Sequence, residues 1–378
     1  MDERIRPGQT PSTGSAQPPP GVGPTRRQMV VGMAAVGGLT AFGGGASAWA
    51  AQRPPADRLT PAMFVDRLEH VYGIHRGFRR NHAKGLSASG TFSSNGAGAR
   101  LCRAAVFASG STPVTARFSL AGGLPAAIDA NPTIRGLAVV FQHPAGEEWR
   151  TAMVNLPVFP DSTPRGFYDR VPALAPMPAT GKPDPAKVAA FLAKHPETAR
   201  AMALIKKTPP ASGFANSTFR GLNAFHFTNR AGKIVPVRWS LTPEDAFSPG
   251  SGEPQADHDY LFDALIGRLR SGPARWHLMI TLGAPHDPTH DATLPWPADR
   301  PAVDVGTLTI DAVHTEASGN ARDINFDPLV LPSGITASDD PLLVARSGAY
   351  AQSVQRRTHE PHTPSEVDVD HVTTKGGH

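Results

Sequence analysis

The sequence contains only one cysteine, Cys102, among its 378 residues. One thiol cannot form a disulfide within the chain, and it rules out zinc and iron–sulfur sites that need several cysteines. The net charge is +5, but no Lys/Arg block with interleaved aromatic residues is present, so nucleic acid is not an expected partner. Gly-x-Gly-x-x-Gly and Walker A motifs are also missing, which argues against a nucleotide-binding βαβ unit.

Long apolar runs are missing as well. The Gly-rich apolar run that follows Arg26-Arg27 is too short to span a membrane well. A twin arginine before such a run indicates a Tat export signal, and Ala48-Trp49-Ala50 offers a cleavage site. We therefore expect residues 1–50 to be a Tat signal peptide with a disordered N-terminus, handled by the Tat translocase. The protein would then be periplasmic or otherwise exported, or anchored to the inner membrane if the signal is not cleaved.

The chain is rich in turn-forming residues, with 39 prolines and 37 glycines, which favours a β-rich body over a helical bundle. Short β-prone segments bounded by Gly, Pro or Asn predict strands at 86–92, 104–107, 114–119, 136–141, 153–159, 224–228, 234–239, 276–282 and 303–310. Apolar periodicity predicts helices at 57–80, 185–194, 197–207, 260–269 and 342–352. The order of these elements indicates an α+β fold with an antiparallel sheet or barrel.

Two histidine-containing stretches could carry chemistry. In the first, Phe78–Gly85, His82 follows two arginines and precedes a predicted strand. The second contains His286 and His290, whose spacing would suit a metal site on a helix. Pro288 lies between them and disfavours a regular helix, so we interpret this stretch as a polar loop.

Several stretches, taken together and in order, resemble the haem catalases. They are Arg-Arg-Asn-His-Ala-Lys-Gly (79–85), Ala-Arg-Phe-Ser (116–119), Arg-Gly-Leu-Ala-Val-Val-Phe (135–141), Val-Asn-Leu-Pro-Val-Phe (154–159), Asn-Ala-Phe-His-Phe (223–227), Asp-Tyr-Leu-Phe-Asp-Ala-Leu (259–265), Trp-His-Leu-Met-Ile (276–280), Asn-Phe-Asp-Pro (325–328) and Arg-Ser-Gly-Ala-Tyr (346–350). Because few residues follow Tyr350, the small exported catalase-related peroxidases are the most similar subgroup. The resemblance implies a catalase-like antiparallel barrel with helical insertions over 51–358, and we expect 359–378 to be a flexible tail.

The resemblance also implies a haem b site with distinct distal and proximal sides. On the distal side, His82 would move the peroxide protons and Asn155 would hydrogen-bond the peroxide. Ser119 would fix the His82 tautomer, and Phe159 would pack on that side. On the proximal side, Tyr350 would ligate the iron, as tyrosine does in catalases.

The remaining candidates are arginines. Arg346 is one helical turn before Tyr350, so its guanidinium can approach the phenol and favour the phenolate form. The resemblance places three arginines, Arg79, Arg117 and Arg357, at the family positions that pair with the haem propionates. Arginine suits this role because its guanidinium can hold a carboxylate through two hydrogen bonds.

The sequence departs from the family pattern at several positions near this site. An apolar residue is usual where Asn81 stands, and threonine is usual where Leu156 stands. A second phenylalanine is replaced by Pro160, and Ala351–Ser353 replaces a Pro-Asp-Thr segment. These changes bear on hydrogen peroxide dismutation more than on haem binding.

The resulting hypothesis is a haem peroxidase that reduces hydrogen peroxide or an organic peroxide with an organic electron donor. A small catalase is the first alternative, an exported haem-binding protein without catalysis is the second, and a haem-free ligand-binding barrel is the third. The sequence leaves open whether the protein is a homo-oligomer.

Overall fold

The computed structural model of the protein describes residues 58–370 apart from 131–132, 178 and 252–256. In this part of the chain the strands are β1 (Gly85–Ser94), β2 (Gly110–Leu120), β3 (Arg135–Gln142), β4 (Glu148–Val154), β5 (Phe219–Arg220), β6 (Phe225–Thr228), β7 (Ile234–Pro243), β8 (Ala274–Leu282), β9 (Ala302–His314) and β10 (Ile335–Ala337). The helices are α1 (Pro61–Tyr72), α2 (Pro164–Ala173), α3 (Pro185–Lys194), α4 (Pro196–Lys206), α5 (Tyr260–Arg270) and α6 (Pro341–Thr358). The predicted Tat signal lies outside the described residues.

Eight strands close into an antiparallel barrel. Around the ring the order is β7, β5, β4, β3, β2, β1, β9 and β8, and β8 pairs back onto β7. Strand β6 extends the sheet beside β7, and β10 pairs with β6. This topology confirms the predicted α+β fold with a catalase-like antiparallel barrel.

Alternating burial along the strands fills the barrel with side chains. On β4, Trp149, Thr151 and Met153 are buried, whereas Ala152 and Val154 alternate with them and are partly exposed. Because successive strand residues face opposite sides, the second set lies on the outer face of the barrel. The interior holds a cluster of aromatic side chains, which includes Phe92, Phe118, Phe141, Trp149, Trp239 and Trp276. The barrel interior is therefore core, and the space for a ligand lies outside it.

Helix α1 is shorter than predicted. Thr60 caps its start by accepting a hydrogen bond from the Met63 N–H, and Pro61 occupies its first turn. It ends at Gly73, whose φ of 84° is a conformation that glycine adopts without steric cost. The prediction of a helix over 57–80 is therefore wrong beyond Tyr72, and an irregular segment leads to His82.

Two further predictions need correction. Ala104–Phe107 was predicted as a strand, but residues Ala105–Phe107 form a short 3-10 helix. The part of the predicted flexible tail that the structure describes is held against the domain. Val367 is buried in the main core, and the Glu360 carboxylate accepts hydrogen bonds from Arg80 and from the Gly77 N–H.

Most of the other predicted elements agree with the structure apart from their ends. The predicted helical pair α3 and α4 and helix α5 are present, and a turn at Asn229–Gly232 joins β6 to β7. The strand predicted at 153–159 is wrong in its position, because β4 spans Glu148–Val154 and residues 155–159 form a loop. In the described residues, no helix combines the length and apolar character needed to cross a membrane.

Candidate functional site

One large cavity, of about 500 Å³, lies between the outer face of the barrel and helices α1, α2 and α6. This volume falls within the range of roughly 300–1,000 Å³ that is usual for cofactor and small-molecule sites. Eight of the nine predicted site residues line it: Arg79, His82, Arg117, Ser119, Phe159, Arg346, Tyr350 and Arg357. The ninth, Asn155, does not.

His82 is fixed on the barrel side of the cavity. Its Nδ1 lies 3.0 Å from the Ser119 hydroxyl oxygen, which is the contact expected from the sequence. Gly136 lies directly beneath this pair, because a Cβ on it would meet Ser119 Oγ at 2.8 Å and the His82 ring at 3.2 Å. Burial, followed by the positive charges of Arg117, Arg346 and Arg79, lowers the pKa of His82 from 6.5 to about 3. The imidazole is therefore neutral near pH 7, as a proton acceptor must be.

The backbone of His82 has a left-handed conformation with a φ of 55°, which is uncommon for a residue other than glycine. Two neighbouring interactions hold it. Arg117 Nη1 donates to the His82 carbonyl at 2.8 Å, and the Asn81 side-chain oxygen accepts from the Gly122 N–H at 3.0 Å. Asn81, the first departure from the family pattern, thus anchors the segment that carries His82.

Arg117 is held in turn by a buried carboxylate. Its Nε and Nη2 donate to the two oxygens of Glu316 at 2.6 and 2.9 Å, and both side chains are only 3% exposed. Burial acts to raise the pKa of Glu316, but the charge and hydrogen bonds of Arg117 outweigh burial and leave that pKa below its ordinary value. Arg117 was predicted to bind a propionate. In this structure Arg117 bridges the Glu316 carboxylate and the backbone carbonyl of His82.

The other two predicted propionate partners lie close to Arg117. Arg79 donates to the carbonyls of Ala321, Arg322 and Ile324, and Arg357 donates to the last two of these. Burial, and then repulsion from the neighbouring arginines, lowers the pKa of the Arg79 guanidinium well below its usual value. Burial, with the charge of Arg117 next, lowers the pKa of Arg357 to about 10. Such a cluster favours an anionic ligand.

On helix α6, Tyr350 lies beside Arg346 as the i, i+4 spacing predicted. Arg346 Nη2 is 3.3 Å from the Tyr350 phenol oxygen. The same guanidinium donates to the Asn223 side-chain oxygen at 2.5 Å, and Asn223 Nδ2 donates to Asp340 at 2.7 Å. Asp340 also caps the start of α6 by accepting from the Leu342 N–H at 2.9 Å. A chain of side-chain hydrogen bonds therefore fixes Arg346 against the phenol.

Asn155 lies in the loop that follows β4. Its side-chain oxygen accepts from the Arg135 N–H at 2.9 Å, and its neighbours Val154 and Leu156, rather than Asn155 itself, line the cavity. That hydrogen bond engages the amide oxygen and not Nδ2, which is the donor that a peroxide would need, so the contact of Asn155 with peroxide stays a prediction. Phe159 does line the cavity, with its ring stacked on Phe167 at a centroid distance of 6.4 Å.

The loop with His286 and His290 shows no sign of a metal centre. Among the residues that the structure describes, no group of three or more His, Cys, Asp or Glu side chains is arranged to hold a metal ion. The stretch lies between β8 and β9 and forms neither helix nor strand, which agrees with its interpretation as a loop.

Comparison with known proteins identifies the family to which the chain belongs. The catalase family model matches residues 58–371. This chain belongs to the catalase family. The chain is 41% identical over 305 residues to a catalase-related peroxidase of Synechococcus elongatus, a match that covers 80% of this chain and 90% of the relative. It is 33% identical over 304 residues to a catalase-related peroxidase of Mycolicibacterium paratuberculosis, with 79% and 95% covered.

Solved structures agree on the fold of this catalase-family chain. A fungal catalase and catalase A from Saccharomyces cerevisiae each match with a TM-score of 0.67 at 22% identity, and each match covers 78% of this chain. The matches cover 61% and 64% of those two chains. At this level of identity the likeness concerns the fold alone.

Proteins of the catalase family generally depend on haem, and the residues of this cavity fit that group. Tyrosine is the iron ligand of catalases, and Tyr350 lies on the cavity wall beside a guanidinium. Gly136 leaves the barrel wall flat beneath His82, where any larger residue would collide. Three arginines share one carboxylate at the same cavity, which leaves positive charge for the haem propionates.

Two residues that shape this site were not found from the sequence. Glu316 follows β9 in a polar segment without a motif, and it is 199 positions from its partner Arg117. Asn223 stands at the start of a stretch that resembles catalases, yet nothing local indicated its contact with Arg346. Only an observed or predicted contact across the chain could have identified either of them.

Proposed function

We propose that this protein is a haem peroxidase that reduces hydrogen peroxide or an organic peroxide at the expense of an organic electron donor. One observation carries the proposal. A single cavity holds a neutral, oriented imidazole, that of His82, and a phenol paired with a guanidinium, that of Tyr350 with Arg346. The similarity to two catalase-related peroxidases supports the same activity.

Tyr350 would ligate the iron of haem b, and Arg79, Arg117 and Arg357 would face its propionates. When bound, the haem group, its iron and porphyrin ring together, would supply the two electrons that reduce the O–O bond of a peroxide, and the organic donor would later return them. Arg346, fixed by Asn223, would hold the phenol oxygen of Tyr350 in place through a hydrogen bond.

His82 would move the proton. With its Nδ1–H donating to Ser119, the Nε2 lone pair is free to accept a proton from one peroxide oxygen. His82 would then give that proton to the departing oxygen, which leaves as water from hydrogen peroxide or as an alcohol from an organic peroxide. Its low pKa suits this cycle, because the ring returns to the neutral state after each transfer.

Oxygen evolution distinguishes this proposal from its nearest alternative, a small catalase. Haem-loaded protein is mixed with hydrogen peroxide, with and without a phenolic donor, while dissolved oxygen and donor oxidation are recorded. Donor oxidation with little oxygen release supports the peroxidase, whereas rapid, sustained oxygen release without donor supports the catalase. A haem-binding protein without catalysis would oxidise no donor, and His82→Ala would then leave every measured rate unchanged.

We further propose export through the Tat pathway. The motif Arg26-Arg27 before a Gly-rich apolar run and the sequence Ala48-Trp49-Ala50 support it. Replacing Arg26-Arg27 by two lysines should hold the protein in the cytoplasmic fraction of expressing cells. Periplasmic recovery of that variant at the wild-type level would contradict the proposal.

A further inference from the structure

Arg220 occupies one end of a row of side chains on the outer face of the barrel. The strand registers align Ser119 on β2, Gly136 on β3, Val154 on β4 and Arg220 on β5. The residue before or after each of them belongs to the buried barrel core, so these four positions face outward. All four line the cavity. With neighbouring strands about 4.8 Å apart, Arg220 lies roughly 14 Å from Ser119 across the cavity wall.

Arg220 differs from the other arginines of this cavity. Six of the seven cavity arginines already hold a carbonyl, carboxylate or amide oxygen of the protein. They are Arg79, Arg80, Arg117, Arg170, Arg346 and Arg357. Within the part of the chain that the structure describes, the Arg220 guanidinium has no hydrogen-bond or ion-pair partner. Burial alone lowers its pKa, with no contribution from a neighbouring charge.

Apolar residues lie beside Arg220 on the cavity wall, and Ser240 on β7 pairs with it on the other side of β5. Its sequence neighbour Leu222 lines the cavity, as do Val154, which faces it across the sheet, and Leu156. A partly buried cation in such a wall is costly unless a ligand supplies the opposite charge. One convergent charged group in a mostly apolar pocket is also the usual arrangement for orienting a small organic ligand.

We propose that Arg220 binds the carboxylate of the organic electron donor, and that the donors of this enzyme are therefore aromatic or other apolar carboxylates. The inference rests on the proposed peroxidase function and specifies its substrate class. Hydrogen peroxide is small and neutral and gains little from a fixed cation, whereas a carboxylate pairs with the planar guanidinium through two parallel hydrogen bonds. The apolar body of the donor would rest on the wall near Val154 and Leu156.

Paired donors that differ only in charge test the inference. Haem-loaded wild type, Arg220→Gln and Arg220→Lys are assayed with 3-(4-hydroxyphenyl)propionate and with its neutral primary amide. We expect a lower KM for the carboxylate in the wild type. Arg220→Gln should raise that KM roughly 10- to 100-fold and leave the KM for the amide within about twofold. Arg220→Lys should keep part of the preference, because it retains the charge without the two-pronged geometry.

Calorimetric titration of the carboxylate into each haem-loaded protein, without peroxide, gives a second readout and should show the same order of affinities. Arg230→Gln is the matched control, because it removes the same charge from an exposed hairpin turn. It should leave both donors unchanged. Equal KM values for the two donors in the wild type, or a loss of haem from Arg220→Gln, would overturn the inference. If the wild type oxidises neither donor, the proposed peroxidase function itself fails.

Discussion

Glu316 offers the sharpest test of how the site is held together. Replacing it by glutamine keeps the shape of the side chain but removes the carboxylate that pairs with Arg117. Both partners are 3% exposed, so solvent cannot replace the lost charge. Breaking a buried ion pair by removing one partner costs about 3–5 kcal/mol. Because Arg79 and Arg357 repel Arg117 at the same cavity, we expect Glu316→Gln to fall within that range.

Urea denaturation of haem-free protein, with the wild type and Glu316→Gln compared at pH 7, measures this loss. Glu360→Gln is the matched control, because Glu360 also pairs with an arginine but is 17% exposed. Its loss should be only about 1 kcal/mol, since water screens a partly exposed pair. Added haem should reduce the difference between wild type and Glu316→Gln, because propionates return negative charge to the arginines. A loss for Glu316→Gln no larger than that for Glu360→Gln would refute the role given to Glu316.

Two further substitutions probe the distal side. The pKa of His82 is about 3 in the folded chain and 6.5 when unfolded, so stability is lost as the pH falls below 6.5. Between pH 7 and pH 5, urea denaturation should show that the wild type loses about 2 kcal/mol more unfolding free energy than His82→Gln does. Equal losses in the two proteins would contradict the lowered pKa of His82. Gly136→Ala should force Ser119 away from His82 and lower the peroxidase kcat about tenfold. Gly267→Ala is the control and should leave kcat unchanged, because a Cβ at Gly267 meets nothing within 4 Å.

The barrel could be predicted from the sequence because its strands carry their own signals. Short β-prone segments and the Gly, Pro or Asn turns between them are local features, and they located most strands, whereas the strand predicted at 153–159 overlaps β4 by only two residues. Helix α1 was extended too far because its apolar periodicity continues past Tyr72, while Gly73 ends it through a positive φ. The 3-10 turn at Ala105–Phe107 was misread because short apolar runs do not separate strand from helix.

Some residues of the site could be predicted from the sequence, and others could be found only from the structure. His82, Tyr350 and Arg346 lie in stretches that resemble a known family, and the structure brings them to one cavity. The roles of Glu316 and Arg220 could be inferred only from contacts and strand registers between distant parts of the chain. Asn155 lies in a stretch that resembles the same family, and its hydrogen bond to the Arg135 N–H holds the loop after β4.

The absorption spectrum of the haem-loaded protein tests the central claim most directly. Tyr350 is the proposed iron ligand, so the wild type should show the spectrum of high-spin ferric haem bound to tyrosinate. Tyr350→Phe keeps the ring and removes only the phenol oxygen, so it should lose that spectrum while keeping the fold measured by circular dichroism. An unchanged spectrum in Tyr350→Phe, or a folded wild type that takes up no haem, would contradict the account.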